Sequence, residues 1–193
     1  GFQVFECPSD ADTTVVKVAI DIAKSKNVTV YSDDTDVLCL LAHHFLHLPA
    51  LKSIYLSNMT RQKNQARNCY SISEIVSQDK LKTVLPYLLF AHAFTGCDTT
   101  SAIHKVGKTT IFRKLENSKA LRSIADIFNE EYQTPEQIGA ATVIFFEALH
   151  SPKYSLPEIR KRKYEDMILS SRSNIDPAIL PPSPRAAFYH GLR

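Results

Sequence analysis

The chain has 193 residues, is 44% hydrophobic and 22% charged, and carries a formal net charge of +3. That length fits one domain, or one domain with an appendage, and ten Phe supply a core, so a disordered chain is excluded. No apolar run approaches the ~20 residues of a membrane span, and GFQVFECPSD lacks the basic start and long apolar centre of a secretory signal.

Charge is unevenly spread. Residues 1–36 hold three Lys and seven Asp/Glu, whereas residues 153–193 hold eight Lys/Arg and four Asp/Glu. An acidic front with a basic tail suits a metal-dependent enzyme acting on a polyanion, and it equally suits plain solubility. Cys7, Cys39, Cys69 and Cys97 have no zinc-ribbon or thioredoxin spacing and read as reduced thiols of an intracellular protein. The start at Gly1 and the helix-like ending AAFYHGLR read as a fragment of something longer.

In chain order, Phe2 to Phe5 reads as a short strand. Ser9 reads as the N-cap of the next helix, with Asp12 at capping-box spacing. Val15, Val16, Ala19, Ile20 and Ala23 share one face of that helix, and Asp12 extends the same stripe toward the core edge. Val28 to Tyr31 is a β-branched run, hence a buried strand. A helix from Asp34 or Thr35 carries Leu38, Leu41, Phe45 and Leu48 on one face and ends at Pro49. LKSIYLS and RNCYSIS read as strands on either side of a basic loop, and SEIVSQ as a short helix. Pro86 suits the first turn of a helix running to Thr95, with Gly96 as its C-cap. Helices follow at Thr109–Leu115, Ala120–Phe128 and Pro135–Leu149. From Ser151 the texture changes to six of the ten prolines and a basic run, RKRK, at 160–163. This part reads as a basic, Pro-rich appendage (151–193) with one helix, Glu158–Ser170. Strands alternating with helices over residues 1–100 predict an α/β fold with a mostly parallel sheet, in which ligands sit at the carboxyl ends of strands.

SDDTD, residues 32–36, stands at such a strand end. Its three carboxylates repel unless water or a cation lies between them. Asp10 and Asp12 stand at one helix start and Asp98 follows a helix end. Taken singly, each acidic residue has an ordinary role as a cap that offsets a helix dipole.

The ordered series PSDAD, SDDTD and TGCDTTSAIHKVGKTT resembles the flap endonuclease family of structure-specific nucleases, within the wider PIN-like fold. In particular it looks like a divergent group of animal proteins, often near mobile elements, that carry SDDTDVL and TGCDTTSA. The likeness covers residues 1–115 well and the rest loosely. It implies a three-layer α/β/α PIN-like nuclease core with a degenerate helix–hairpin–helix (1–115), followed by a helical extension (116–150). It further implies two Mg²⁺ or Mn²⁺ ions held by Asp10, Asp12, Asp34, Asp36 and Asp98, with Asp34, Asp36 and Asp98 closest to the chemistry. Such a pair of ions, ~3.5–4 Å apart, activates water and stabilises the leaving oxygen in phosphodiester hydrolysis, and it needs hard oxygen ligands from several segments. The implied partner is nucleic acid, DNA in the first place, met by Lys105, Gly107 and Lys108 of the hairpin.

Departures from the family pattern are plain. Asp replaces Glu at positions 10 and 12, Lys105-Val106-Gly107 has lost the first hairpin glycine, and the family's aspartate-bearing first strand would precede Gly1. The alternative is therefore a catalytically inactive PIN-like module of mobile-element origin that binds nucleic acid or protein.

Three other motifs compete. GKTT at 107–110 ends like a phosphate-binding P-loop, but that pattern requires Gly at 102, which is Ala. No nucleotide or other small-molecule cofactor is implied. His43 and His47 of HHFLH have i, i+4 zinc spacing without the intervening Glu of a zincin, and read as partly exposed helix histidines. The RKRK run reads either as a nuclear-import or nucleic-acid patch or as a solvated helix face.

Overall fold

The computed structural model describes residues 2–7, 10–48, 50–59, 68–97, 100, 102–104, 106–170 and 176–193. The chain forms two compact units, Gly1–Leu89 and Phe90–Arg193.

The first unit is α/β. Helix α1 (Asp12–Ala23) leads to strand β1 (Val28–Tyr31), helix α2 (Thr35–His47), strand β2 (Ile54–Ser57), strand β3 (Cys69–Ser71) and helix α3 (Ile72–Ser77). Among the described residues these strands form one sheet in the order β1-β2-β3. β1 and β2 are parallel, with Val28 opposite Ile54 and Tyr31 opposite Ser57. β2 and β3 are antiparallel, with Tyr55 opposite Ser71 and Ser57 opposite Cys69. The sheet is thus mixed rather than mostly parallel. A parallel crossover needs a dozen or more residues and usually a helix, and too little chain separates Ser57 from Cys69 for one.

Helices α1 and α2 pack against each other, α1 also meets β1, and α3 covers α2 and β2. The core comprises Val16, Ala19, Ile20 and Ala23 of α1, Val37 and Leu41 of α2, Val30, Ile54 and Leu56 of the strands, and Ile72 of α3. The stripe expected on α1 is the one buried, apart from Val15, which is exposed. On α2 the buried line runs through Val37, Leu41 and Ala42, while Leu38 and Phe45 flank it and Leu48 is exposed. Helix α2 ends at His47, and Pro49 lies outside the described residues.

The expected strand at Phe2–Phe5 does not form. Phe2, Val4 and Phe5 are all exposed, and the backbone there pairs with no strand among the described residues. A strand without a neighbour leaves its N–H and C=O groups unpaired and its side chains with nothing to pack on.

The second unit is helical. Helix α4 (Leu88–Phe94) runs into it, preceded by a 3₁₀ turn at Leu85–Tyr87 that contains Pro86. Helices α5 (Lys108–Asn117), α6 (Lys119–Asp126), α7 (Pro135–His150), α8 (Leu156–Leu169) and α9 (Pro184–Gly191) follow. Ser118 ends α5 and caps α6, its Oγ accepting from the Leu121 N–H at 3.2 Å. The Arg122 guanidinium donates to the Leu115 and Glu116 carbonyls at the end of α5. A cluster of Phe90, Phe94, Phe128, Phe145 and Phe146 forms the centre, with the Phe94 and Phe145 rings 4.7 Å apart.

The stretch from Ser151, expected as an appendage with one helix, is built into this unit. Leu156, Ile159, Met167 and Ala187 are buried, and α9 lies along α7. Gly139 permits that approach: a Cβ there would overlap the Phe188 ring. The Leu156 N–H at the start of α8 donates to Glu147 Oε1 of α7 at 3.0 Å. Among the described residues no helix is long and apolar enough to cross a membrane, and no disulfide joins the cysteines.

Candidate metal centre

The parallel pair β1-β2 ends at Tyr31 and Ser57, and the chain there is held by short-range bonds. The Ser32 N–H extends the ladder to the Ser57 carbonyl at 3.1 Å. Ser32 Oγ accepts from the Asp34 N–H at 3.0 Å. Asp33 Oδ1 accepts from the Met59 N–H at 3.1 Å, tying the exit of β2 to the exit of β1. Asp33 therefore has a structural task across the two strand ends.

Asp34 is the N-cap of α2, in extended conformation, its Oδ1 accepting from the Asp36 N–H at 2.8 Å. Asp36 sits in the first turn of that helix and is half-buried. Across from them α1 begins at Asp12, also half-buried. Ser9 was the expected cap of α1 but lies outside the described residues. Ala11 occupies the N-cap position without a side-chain bond, and the Asp12 N–H instead donates to Asp10 Oδ1 at 3.1 Å. Asp12 is thus the first helical residue rather than the third.

The packing of α1 on α2 brings both helix starts to the carboxyl end of β1. There Asp12, Asp34 and Asp36 each present one carboxylate oxygen within 4.8 Å of the others. Two helix N-termini, each equivalent to roughly half a positive charge, partly offset this concentration of negative charge. A carboxylate has ~four lone-pair sites, so Asp34 can accept a backbone N–H and still bind a cation. The donor set is all oxygen and anionic, which fits a hard divalent ion such as Mg²⁺ or Mn²⁺ rather than zinc or copper.

Other predicted residues fall differently. Asp10 is exposed and outside the three-carboxylate group. Asp98 and Lys105 lie outside the described residues. Among the described residues of the first unit, Asp12, Asp34 and Asp36 form a group that could hold one cation. Gly107 is exposed at the N-cap of α5 with an ordinary backbone (φ −89°) and open space where a Cβ would stand. Lys108 is half-buried and donates from Nζ to the Gly96 carbonyl at 3.0 Å, so its ammonium closes the turn that follows α4. Ile103 and Val106 form an isolated antiparallel bridge between α4 and α5.

His43 and His47 face each other edge to face with ring centroids 4.7 Å apart, and His43 lies 5.4 Å from His44. Burial, then the neighbouring His47 and His44, hold His43 below the ordinary imidazole range. Among the described residues no third ligand joins this pair in a metal-binding group. Sequence reasoning missed the Asp33 tie and the Lys108 tie. Both depend on backbone groups many positions away, which composition and spacing do not display. Comparison with protein-family models, with curated proteins and with solved structures found no match to this chain.

Proposed function

We propose that the first unit is the core of a metal-dependent nuclease of PIN-like architecture that hydrolyses nucleic-acid phosphodiesters, DNA in the first place. The observation behind this reading is the convergence of Asp12, Asp34 and Asp36 at the carboxyl end of a parallel strand. The ordered motifs PSDAD, SDDTD and GCDTT, with their likeness to the flap endonuclease family, favour it. A bound Mg²⁺ or Mn²⁺ would supply a water of lowered pKa and positive charge against the leaving oxygen. Asp12 and Asp36, half-buried, and Asp34 would hold that cation, while Asp33 and Ser32 keep the strand end that bears them in place. The basic run at 160–163 would suit a nuclear protein.

A second reading is a PIN-like module that binds without cleaving. It is favoured by the bonds that Asp10 and Asp34 accept from backbone N–H groups at the starts of α1 and α2, which give two of the acidic residues a structural task.

Thermal unfolding with and without Mn²⁺ separates the two, with an Asp34→Asn/Asp36→Asn variant beside the parent. Asn caps a helix about as well as Asp, so the variant removes charge and not the cap. Millimolar Mn²⁺ at ~100 times its Kd would stabilise the parent by about 2.7 kcal/mol and leave the variant unmoved. Mn²⁺ that shifts neither protein would discard the nuclease in favour of the binding module.

A further inference from the structure

The second unit contains a groove of about 800 Å³ that the acidic cluster does not use. Five segments line it: the turn at 102–104, α7, α8, the stretch 177–183 and α9. Its floor is apolar, from Ile103, Phe146, Ile179, Leu180, Pro181 and Pro182. Its polar lining comes from Arg160, Arg185, Arg193, His104, His150 and His190 with Ser183 and Tyr189, and no Asp or Glu is among the described lining residues. In a chain with 20 Asp/Glu, five converging segments whose described lining residues bring arginines and histidines but no acid make a site complementary to an anion.

A second groove, of about 640 Å³, adjoins the first and shares His104, His150, Ile179 and Pro181 with it. It adds Arg162, Lys163 and Tyr154, with Asp166 its one carboxylate among the described lining residues. Each groove has an Arg-covered aromatic ring. Arg162 lies 3.9 Å over Tyr154, and Arg185 lies 5.8 Å over Tyr189. Arg160 is held by a bond to the Pro181 carbonyl, which joins α8 to the proline segment. Volumes of this size match small-ligand sites, ~300–1,000 Å³ each, and two in series exceed what one mononucleotide fills.

We propose that the two adjoining grooves form a binding track for single-stranded nucleic acid. The arginines and Lys163 would meet successive phosphates, and Tyr154 and Tyr189, with their guanidinium partners, would offer stacking surfaces to bases. Exposed bases and a flexible backbone suit an apolar-floored groove, whereas a duplex keeps its bases stacked inside. Desolvation, then Lys114 and Lys163, hold His150 below the ordinary imidazole range. For His190 the causes are burial and then Arg193, against an opposing bond to the Phe94 carbonyl. Burial is the main cause in both, and the neighbouring cations Lys114, Lys163 and Arg193 act in the same direction. The proposal rests on residues of the second unit alone and stands whether or not the acidic cluster hydrolyses anything.

The test is fluorescence anisotropy of the full chain with a labelled oligothymidylate of about ten nucleotides, in EDTA so that no divalent ion takes part. Arg185→Ala/Arg193→Ala removes two exposed cations, and an unchanged melting temperature checks its fold. The expected result is binding by the parent, at least tenfold weaker in the variant, with the slope of log K against log salt reduced by about 1.4. Thymidine monophosphate and inorganic phosphate should compete only at far higher concentration. Three results would overturn the proposal: no binding by the parent, equal binding by parent and variant, or competition by the mononucleotide as strong as by the oligonucleotide. A duplex bound more tightly than the single strand would overturn it as well. Because the assay excludes metal, its failure would leave the Mn²⁺ experiment unaffected, and the reverse also holds.

Discussion

Gly96 shows how much one residue can decide. Its φ of +103° lies where L side chains rarely go, and a Cβ there would stand 2.8 Å from the Ala102 Cα, which is backbone and cannot turn aside. Two neighbours depend on the same turn: Lys108 donates to the Gly96 carbonyl, and Thr100 Oγ1 donates to the Ala93 carbonyl at 2.7 Å. Gly96→Ala should destabilise the chain by about 1–3 kcal/mol, read from the urea midpoint. A midpoint equal to the parent's would mean that the turn relaxes to negative φ. The glycine was legible in the sequence as a C-cap. The close approach of Ala102, six positions on, was not, because it depends on how the following segment folds back.

At the scale of elements, helix starts follow local chemistry closely. Thr134 and Gln137 form a capping box at α7, with the Thr134 N–H donating to Gln137 Oε1 at 2.8 Å and the Gln137 N–H to Thr134 Oγ1 at 3.3 Å. Pro135 occupies the first helical position, where its missing N–H costs nothing. Thr134→Ala should cost about 1 kcal/mol and Thr134→Ser almost none, measured by denaturant unfolding. Equal losses would show that the methyl group, not the hydroxyl, holds the helix start. Capping also decides what the acidic residues do. Asp10 and Asp34 both accept backbone N–H groups at the starts of α1 and α2, a role their positions announce. That Asp12 meets Asp34 and Asp36 follows only from the packing of α1 on α2. The error at Phe2–Phe5 is of the same kind: local preference favoured a strand, and no partner edge exists for it among the described residues.

Over the whole second unit, His190 knits distant parts of the chain together. It lies against Phe94 and Phe146 with centroid distances of 4.9 and 5.5 Å, and a ring nitrogen is 2.8 Å from the Phe94 carbonyl. Burial, only partly offset by that bond, keeps it below the ordinary imidazole range. The folded state therefore holds its proton more weakly than the unfolded chain. Its contribution to stability is present above about pH 6.5 and is lost as the pH falls through the lowered folded value. His43 and His150 are shifted in the same direction. The urea midpoint should fall between about pH 7 and pH 5, and His190→Phe should flatten part of that fall. A parent midpoint that stays level across this window would show that these imidazoles titrate alike in the folded and unfolded chains.

The sequence by itself determined the order of elements from α1 to α8, the apolar stripe of α1, the cap at Asp34 and the stop at Gly96. Each of these depends on backbone dihedrals, hydrogen bonds within four residues, or a period of 3.6, all of which are written locally. Only the tertiary structure decided the antiparallel placement of β3, the meeting of Asp12 with Asp34 and Asp36, and the incorporation of residues 151–193 into a helical unit. It also decided which arginines share a groove. The proline-rich composition of that last stretch read as an appendage because Pro and Arg are poor core formers. Its buried apolar residues, Leu156, Ile159, Met167 and Ala187, find their place once α7 offers a surface, and burial against a surface is a property of two segments that neither shows alone.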